Sequence, residues 1–209
     1  MTWRHPGSVE KQGEADSEHA ATPQRSYGEE MSRAHGFAPV ANADAVVLVL
    51  GSMPGKASLA AGQYYAHPRN GFWPIMGELF GAQPGLPYEN RLQMLKSFGI
   101  ALWDVLASCT RSSSLDSHIE EGSIIPNDFE SFFLCHPNIN RVFFNGTKAE
   151  QCFRRYVRPS LTRRSFQYQR LPSTSPANAG MSYGEKLNAW RIVGQRNLSP
   201  VADPDREDR

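Results

Sequence analysis

The chain has 209 residues and a formal net charge of +1 at neutral pH. That length suits one α/β domain with a full core and is short for two. No stretch approaches the roughly 18 apolar residues of a membrane span, and no apolar leader opens the chain, so we expect a soluble, cytoplasmic protein. Cys109, Cys135 and Cys152 are odd in number and widely spaced, which argues against a disulfide framework, a zinc site or an iron–sulfur cluster. We expect a monomer that needs no metal and no cofactor.

The small net charge conceals two segments of opposite sign. Residues 1–30 hold six acids against three bases, a net charge of −3, whereas residues 141–170 hold eight bases against one acid, a net charge of +7. A local positive excess of that size is typical of a surface that binds phosphates. A solvated helix face with a basic loop has the same composition, so charge alone leaves both interpretations open.

Regular apolar patterning is confined to the middle of the chain. Residues 1–42 are rich in Gly, Pro, Ser, Glu and Gln, which predicts a flexible tail, and residues 196–209 predict a second one. Residues 43–195 are expected to form the folded domain.

The predicted elements of this domain alternate between strand and helix. In chain order they are a strand over 45–50, helices over Phe72–Phe80 and Tyr88–Phe98, a strand over Ile100–Val105, a helix over Phe129–His136, a strand over Asn140–Asn145, a helix over Gly146–Tyr156, a strand over Phe166–Leu171 and a helix over Tyr183–Val193. Strands separated by helices predict an α/β fold, here a three-layer α/β/α sandwich around a central, mainly parallel, four-stranded sheet.

The first strand and the loops after it are the most informative part of the chain. The apolar run Val46–Leu50 predicts a strand buried on both faces, and Gly51-Ser-Met-Pro-Gly55 then imposes a tight loop. In open α/β sheets, ligands bind beside the carboxyl ends of the strands, where this loop must lie. The next segment, Tyr64–Trp73, combines four aromatic side chains with a histidine, an arginine and an asparagine. That set suits a flat ring with polar edges, such as a nucleobase.

Polar residues also follow the other three predicted strands. Trp103-Asp104 lies at the end of the second strand, Asn145-Gly146-Thr147 at the end of the third, and Leu171-Pro-Ser-Thr-Ser-Pro-Ala-Asn178 after the fourth. Because the carboxyl ends of parallel strands share one edge, we expect these segments to meet the glycine loop there.

Taken in this order, the segments resemble the uracil-DNA glycosylase superfamily over about residues 44–194, and within it the hypoxanthine-DNA (deoxyinosine) glycosylase branch. Gly51-Ser-Met-Pro-Gly55 is similar to the first motif, which is Gly-Ile-Asn-Pro-Gly in the mismatch-specific branch. Tyr65-Ala-His-Pro-Arg-Asn-Gly-Phe-Trp73 is similar to that branch's Phe-Ala-His-Pro-x-Asn-x-Phe-Trp. Asp104 lies where the uracil enzymes carry their base-reading asparagine, and Leu171–Asn178 falls on the second motif, the loop that enters the helix beside the flipped base.

The resemblance implies a repair enzyme that hydrolyses the N-glycosidic bond of a flipped, deaminated base, hypoxanthine first, and leaves an abasic site. Its partner would be DNA containing deaminated bases. A monofunctional glycosylase is expected because the motif loops hold no lysine that could form a Schiff base with the sugar; Lys56, just beyond the first loop, is the nearest.

Two positions depart from the other branches. The residue that positions the attacking water in the mismatch-specific enzymes is Met53 here, and a thioether cannot orient water usefully. The histidine or asparagine of the second motif becomes Ser173. Either catalysis depends on another polar residue or the chain is inactive. The resemblance to the hypoxanthine branch points to Asn70, the asparagine of the His-Pro-x-Asn segment.

Cleavage of an N-glycosidic bond sets the chemistry that a site must provide. It needs a water near C1′, hydrogen bonds to the leaving base and an aromatic side chain on which the extruded base stacks. Tyr65 is the candidate stacking platform, or a core tyrosine at the rim. Asn70 could hold water through its carbonyl, or cap a turn. Asp104 could accept from N1–H of hypoxanthine or assist the water, or serve as a helix cap or ion-pair partner.

The complete predicted site has three parts. The catalytic residues are Asn70 and Asp104; the base-binding residues are Gly51, Ser52, Met53, Tyr65, Trp103 and Asn145; the DNA-binding residues are Ser173, Thr174, Ser175, Pro176, Ala177 and Asn178. His67 is interpreted as a packed turn residue.

Three other functions stay open at this stage. A glycosylase that prefers uracil is one, because aspartate or asparagine at position 104 changes which base is read and not the chemistry of cleavage. A catalytically inactive DNA-binding protein would have the same basic segment, and Met53 favours it. A small-molecule hydrolase would need an activated nucleophile, and no Gly-x-Ser-x-Gly elbow is present.

Overall fold

The structure, a computed structural model, describes residues 32–161 and 165–195. The strands are β1 (Ser32–His35), β2 (Val47–Gly51), β3 (Ile100–Asp104), β4 (Leu106–Arg111), β5 (Ile125–Pro126), β6 (Arg141–Asn145) and β7 (Gln167–Leu171). The helices are α1 (Lys56–Ala61), α2 (Phe72–Phe80), α3 (Tyr88–Ser97), α4 (Phe129–Cys135), α5 (Thr147–Cys152) and α6 (Tyr183–Trp190).

The central sheet contains four parallel strands in the order β3–β2–β6–β7. Each residue of β2 is buried, and the strand lies between β3 and β6, as its uninterrupted apolar sequence predicts. The predicted α/β fold with a four-stranded parallel sheet is confirmed. Because all four strands are parallel, their carboxyl ends lie along one edge.

Alternate residues of β2 face two different apolar clusters. Leu48 and Leu50 belong to one, which contains the aromatic side chains of α4, while Val47 and Val49 belong to the other, which contains those of α2. A sheet with helices packed on both faces is the three-layer arrangement. The two clusters hold the central strand rigidly, and with it the loop that begins at Gly51.

A second, smaller sheet was not predicted. It is antiparallel, with strand order β1–β4–β5. β1 lies inside the stretch expected to be a tail, and Val40 also makes a two-way backbone bridge to Leu102 of β3. No strand is predicted over Leu106–Arg111, the residues of β4, because this segment mixes Ser, Cys, Thr and Arg with few apolar residues. Residues 1–31 and 196–209, the rest of the expected tails, lie outside the described residues.

Most predicted elements are present with boundaries shifted by one or two residues. The predicted helix Gly146–Tyr156 is the largest exception, since α5 ends at Cys152 and a π-helical turn continues over Phe153–Val157. The last predicted helix ends at Trp190, and a 3₁₀ turn covers Arg191–Gly194. Across the described ranges, no helix is long and apolar enough to cross a membrane.

Candidate active site

A cavity of about 230 Å³ opens at the carboxyl edge of the parallel sheet. It lies where β2 and β3 end side by side, with Gly51 opposite Asp104 in the register. Most of the predicted site residues line it, namely Gly51, Ser52, Met53, Tyr65, Asn70, Asp104, Asn145, Ser173, Thr174, Ser175, Pro176 and Ala177. The sheet edge therefore brings together residues that are up to 126 positions apart in the chain.

Asp104 is the buried acid of this cavity. The residue is 3% exposed, and its Oδ2 atom has no hydrogen-bond partner among the described residues. Burial, and to a smaller extent the nearby carboxylate of Asp116, raise the pKa of Asp104, the guanidinium of Arg111 lowers it in part, and the resulting pKa is about 7. A buried acceptor without a partner is costly for the fold, so this oxygen is a candidate ligand contact.

Gly51 allows the Asp104 carboxyl group to reach the cavity. A Cβ atom at position 51 would lie 2.2 Å from Asp104 Oδ1 and 3.3 Å from the Tyr65 hydroxyl. Any side chain would therefore displace the carboxyl group. Here glycine serves for close approach, not for an unusual φ.

Tyr65 is held in a strained backbone conformation beside this carboxyl group. Its φ of +56° lies in the left-handed region, which costs a non-glycine residue about 1–2 kcal/mol. Its ring stacks on Phe72 with the centroids 3.9 Å apart and the planes 24° apart. Burial and the charge of Asp104 raise the pKa of the Tyr65 hydroxyl, and a hydrogen bond with the Asn145 side chain lowers it in part. The hydroxyl is therefore neutral at physiological pH.

Asn70 lines the cavity at the start of α2. Its Oδ1 accepts the backbone N–H of Phe72 at 3.0 Å, and its own backbone N–H donates to the His67 carbonyl. The carbonyl expected to hold water thus already caps the helix start, which fixes the orientation of the amide. His67 accepts the N–H of Arg69 on Nδ1 at 3.1 Å, in agreement with its interpretation as a turn residue.

Asn145 is paired with the second-motif loop. Its Oδ1 accepts the Thr174 N–H at 2.8 Å, and its Nδ2 donates to Thr174 Oγ1 at 2.9 Å. Thr174 is 1% exposed, and its carbonyl accepts the N–H of Gly71. These bonds connect β6, the second-motif loop and the start of α2, so Asn145 is a scaffold residue as well as a cavity residue.

The rest of the second-motif loop is ordered by its own hydroxyl groups. Ser173 Oγ accepts the Ser175 N–H at 3.2 Å, and Ser175 Oγ accepts the Ala177 N–H at 3.3 Å. The Asn178 side chain donates to the Ser173 carbonyl at 3.0 Å, and its backbone carbonyl accepts from Lys186 Nζ at 2.6 Å. The hydroxyl groups of Ser173 and Ser175, two of the predicted DNA-binding residues, thus cap the backbone of their own loop.

Trp103 does not reach the cavity. Its ring packs on Phe129 and Phe132, with centroids 4.8 Å away in each case, and its Nε1–H donates to the Phe37 carbonyl at 3.1 Å. Successive strand residues face opposite sides of a sheet, so Trp103 and Asp104 cannot share one site. Met53 lines the cavity but is 7% exposed and belongs to a core cluster.

One acidic residue at the cavity had not been singled out. Asp116 accepts the Ser52 hydroxyl on Oδ1 at 2.5 Å, across 64 positions of sequence. Asp116 lies in a serine-rich loop that matches no motif. Only the hydrogen bond to Ser52 in the structure identifies it as a residue of the cavity. The loop and the first motif form one wall of the cavity.

A wider groove of about 810 Å³ adjoins the cavity. Lys148 and Arg170 line it together with Ser173 and Ser175. Both bases come from the segment predicted to bind phosphates. The groove is thus the surface where that segment meets the second-motif loop.

Within the described residues, the basic segment is largely paired with two glutamates. Glu121 contacts Lys148 at 3.0 Å and Arg155 at 2.5 Å, and Glu150 contacts Arg154 at 3.3 Å and Arg170 at 3.2 Å. Because these glutamates neutralise part of the segment, its net positive charge in the folded protein is smaller than the count of +7 over residues 141–170 indicates. Arg163 and Arg164, two of the predicted phosphate contacts, lie outside the described residues.

Comparison with known proteins fits this architecture. A buried acid, a stacked tyrosine and an asparagine line one cavity at the carboxyl edge of the parallel sheet. The family model of the uracil DNA glycosylase superfamily matches residues 38–193, and the chain belongs to that superfamily.

Two similar curated proteins carry a more specific name. The hypoxanthine DNA glycosylase of Methanosarcina barkeri is 35% identical over 162 residues, which cover 77% of this chain and 98% of that protein. The hypoxanthine DNA glycosylase of Methanosarcina acetivorans is 34% identical over 159 residues, 76% and 96% of the two chains. A solution NMR structure of a candidate uracil DNA glycosylase from Methanosarcina acetivorans superposes with a TM-score of 0.63 at 31% identity, covering 78% of this chain and all of that one. The superfamily resemblance is confirmed.

Proposed function

We propose that this protein is a monofunctional DNA glycosylase that releases hypoxanthine from deoxyinosine and leaves an abasic site. The names of the two curated relatives support the substrate. The observation that carries the proposal is the buried Asp104 carboxyl group, which lines the cavity and whose Oδ2 has no hydrogen-bond partner among the described residues.

Asp104 would read the hydrogen that distinguishes a deaminated base. Deamination of adenine converts N1 from a lone-pair acceptor into an N–H donor, and deamination of cytosine does the same at N3. An ionised carboxylate is purely an acceptor, so it binds the N–H of hypoxanthine and repels the lone pair of adenine. The unpartnered Oδ2 would thus gain a hydrogen bond with the damaged base and none with adenine.

Tyr65 would supply the stacking surface. One face of its ring packs on Phe72, and the residue lines the cavity. A flipped base needs an aromatic platform of this kind and a small pocket. The cavity of about 230 Å³ lies below the roughly 300–1,000 Å³ typical of drug-sized sites, which suits a single base.

Asn70 would hold the water that attacks C1′. The Phe72 N–H uses one lone pair of its carbonyl, which leaves the second lone pair and the amide hydrogens for a water molecule. In the reaction the water oxygen bonds to C1′ while the C1′–N9 bond breaks with its electron pair going to the base. The water leaves its hydroxyl on the sugar, and its proton ends on the released hypoxanthine.

The position of Lys56 supports the monofunctional class. Its Nζ donates to the Ser112 carbonyl at 2.9 Å, in the loop that walls the cavity. Lys56 also lines the cavity, and we take its amine as a structural contact of the loop and not as the nucleophile of a Schiff base. Borohydride trapping with an inosine duplex is therefore expected to yield no covalent adduct. A trapped adduct would contradict the monofunctional class.

Met53 favours one alternative, a catalytically inactive relative that binds damaged DNA. The thioether of Met53 cannot orient water, so an inactive protein is the result if Asn70 does not hold the water in its place. A uracil-preferring glycosylase is the second alternative, because uracil presents the same N–H and carbonyl edge.

A substrate panel separates these three functions. Duplexes carrying inosine, uracil, xanthine or no damage are incubated with excess protein, and abasic sites are cleaved with alkali. The proposal predicts the fastest cleavage for inosine. Fastest cleavage of uracil would select the uracil-preferring enzyme, and binding without cleavage of any duplex would select an inactive protein.

A further inference from the structure

An exposed leucine projects at the junction of the cavity and the groove. Leu115 is 45% exposed and lines both. It lies in the segment Ser112–His118, between β4 and the end of the 3₁₀ turn Asp116–His118. Neither described core cluster includes it, so its burial does not stabilise the fold.

The loop that carries Leu115 is fastened to the first motif by three hydrogen bonds. The Lys56 N–H donates to Ser114 Oγ at 2.8 Å, and Lys56 Nζ donates to the Ser112 carbonyl at 2.9 Å. The Ser52 hydroxyl donates to Asp116 Oδ1 at 2.5 Å. The apolar tip is therefore held at a fixed place relative to the cavity.

Local bonds shape the tip itself. The Leu115 N–H donates to Ser113 Oγ at 3.1 Å, and its carbonyl accepts the His118 N–H at 3.0 Å. Ser113 Oγ also lies 2.8 Å from His118 Nδ1. These hydrogen bonds pair the polar groups around Leu115 and leave its side chain exposed. The loop therefore forms an apolar projection before any DNA is bound.

Base extrusion creates a need for such a projection. When a base leaves the stack, the gap must be filled or the base returns, and proteins that distort duplexes insert apolar side chains between base steps. The second-motif loop faces the same cavity and groove with Ala177, whose single methyl group is too small to fill a base-sized gap.

We propose that Leu115 enters the duplex in place of the extruded base and holds it in the cavity. This inference rests on the proposed glycosylase function, because a wedge has no use without a flipped base. Leu115 acts on the flipping equilibrium and touches no reacting atom, so it is a positioning residue. Its removal should impair duplex cleavage and leave single-stranded cleavage intact.

The test compares Leu115→Ala with the wild type on two substrates. The single-turnover rate on an inosine duplex should fall about tenfold or more, while the rate on the same single strand should change less than about twofold. Leu134→Ala is the matched control, because Leu134 is 70% exposed on α4 and lines neither cavity nor groove. Leu115→Met, which restores an apolar side chain of similar length, should recover most of the duplex rate.

A binding measurement makes the result independent of turnover. A 2-aminopurine placed beside a non-cleavable 2′-fluoro-deoxyinosine in a duplex brightens when the inosine base leaves the stack. Wild-type protein and Leu134→Ala should raise the fluorescence, and Leu115→Ala should not. Equal losses on duplex and single strand, or equal fluorescence for all variants, would overturn the wedge. No wild-type cleavage of either substrate, together with the Leu115-dependent fluorescence, would instead overturn the glycosylase and support the wedge.

Discussion

The carboxyl group of Asp104 and the backbone of Gly51 meet at the point where β2 and β3 end. The two residues are paired in the register, and the space that a side chain at position 51 would need is filled by Asp104 Oδ1. The position of the Asp104 carboxyl group therefore depends on the absence of a side chain at position 51. A substitution at Gly51 therefore tests whether the Asp104 carboxyl group must hold this position for activity.

Gly51→Ala is expected to lower the rate of hypoxanthine release by about 10²-fold or more, since a catalytic group displaced by about 1 Å loses that much. Gly55→Ala is the matched control in the same loop. A Cβ there would lie 3.7 Å from Ser114, an ordinary contact. Single-turnover rates measure both. Near wild-type activity in Gly51→Ala would show that Asp104 need not hold its present position.

Two substitutions separate the two roles considered for Asn70. Asn70→Ala should lower turnover by about 10²-fold while duplex binding persists, because the amide positions water. Asn70→Ser keeps a side-chain oxygen that can cap the Phe72 N–H but offers no amide group to the water, and it should lose turnover as well. Circular dichroism checks that both variants fold. If Asn70→Ser cleaves inosine at the wild-type rate, the residue is a helix cap and not a catalytic group.

The raised pKa of Asp104 gives the activity a pH dependence. Asp116 and Arg111 face the carboxyl group with opposite charge, and three tyrosine hydroxyls, those of Tyr64, Tyr65 and Tyr88, lie around it. With a pKa of about 7, Asp104 is mostly protonated at pH 6 and mostly ionised at pH 8. Since the ionised form accepts N1–H, kcat/KM should rise about tenfold per pH unit below about 7 and level off above it.

Asp104→Asn provides the control for this profile. The amide does not titrate, so the inflection near pH 7 should disappear from kcat/KM. The uracil enzymes that the chain resembles carry asparagine at this position, and the variant should shift its preference toward uracil. An inflection that survives in Asp104→Asn would assign the titration to another group.

At the scale of elements, the sequence predicts best where burial is periodic. α2 is predicted with its observed bounds because Phe72, Ile75, Met76 and Phe80 follow helical spacing and Gly81 ends the helix at a φ of 76°. β4 has no such signal, since its inward side chains include a serine, a cysteine and an arginine. Its partners lie far away in sequence, and the pairing is a tertiary effect.

The same limit applies to the candidate site. Asp104 and Asn145 could be predicted to lie near the cavity because each ends a strand, and parallel strands align those ends. Tyr65 lies beyond α1, and only its motif predicts it at the cavity. Trp103 could not be excluded without knowing which way the strand faces. Asp116 could not be found at all, because its role rests on a hydrogen bond to Ser52 from a loop without a motif.

The groove beside the cavity predicts how DNA affinity depends on salt. Lys148 and Arg170 line it, and their ion pairs with glutamates are partly exposed, a class worth little in stability, so both bases can exchange to phosphates. Lys148→Glu with Arg170→Glu should weaken binding to inosine and undamaged duplexes alike. The slope of log K against log[salt] should become shallower by about 0.9 for each phosphate that the variant no longer neutralises.

Arg154→Glu with Arg155→Glu is the charge-matched control, since both side chains are exposed and line neither the cavity nor the groove. It should retain most of the affinity and the slope. Fluorescence anisotropy at several salt concentrations measures both quantities. Equal effects of the two double variants would mean that net charge, and not the groove, governs binding. Reversal of Arg163 and Arg164 tests the sequence-based phosphate prediction in the same assay.

For the whole molecule, the parallel sheet and its two apolar faces serve to hold three strand ends and two motif loops around one cavity. β2 and β3 deliver Gly51 and Asp104, β6 delivers Asn145, and the second-motif loop is bonded to both β6 and the start of α2. The fold therefore places the Asp104 carboxyl group, the Tyr65 ring and the Asn70 amide around a single cavity. The proposed function depends on the base that this cavity accepts.

The most direct measurement is the identity of the released product. Wild-type protein and Asp104→Ala are incubated at pH 8 with a duplex carrying one deoxyinosine, and free bases are separated by liquid chromatography and identified by mass. We predict free hypoxanthine from the wild type in amounts equal to the abasic sites formed, and a loss of about 10²-fold or more in Asp104→Ala. Hypoxanthine released at the same rate by both proteins, or by neither, would contradict the proposed role of Asp104 at the centre of the site.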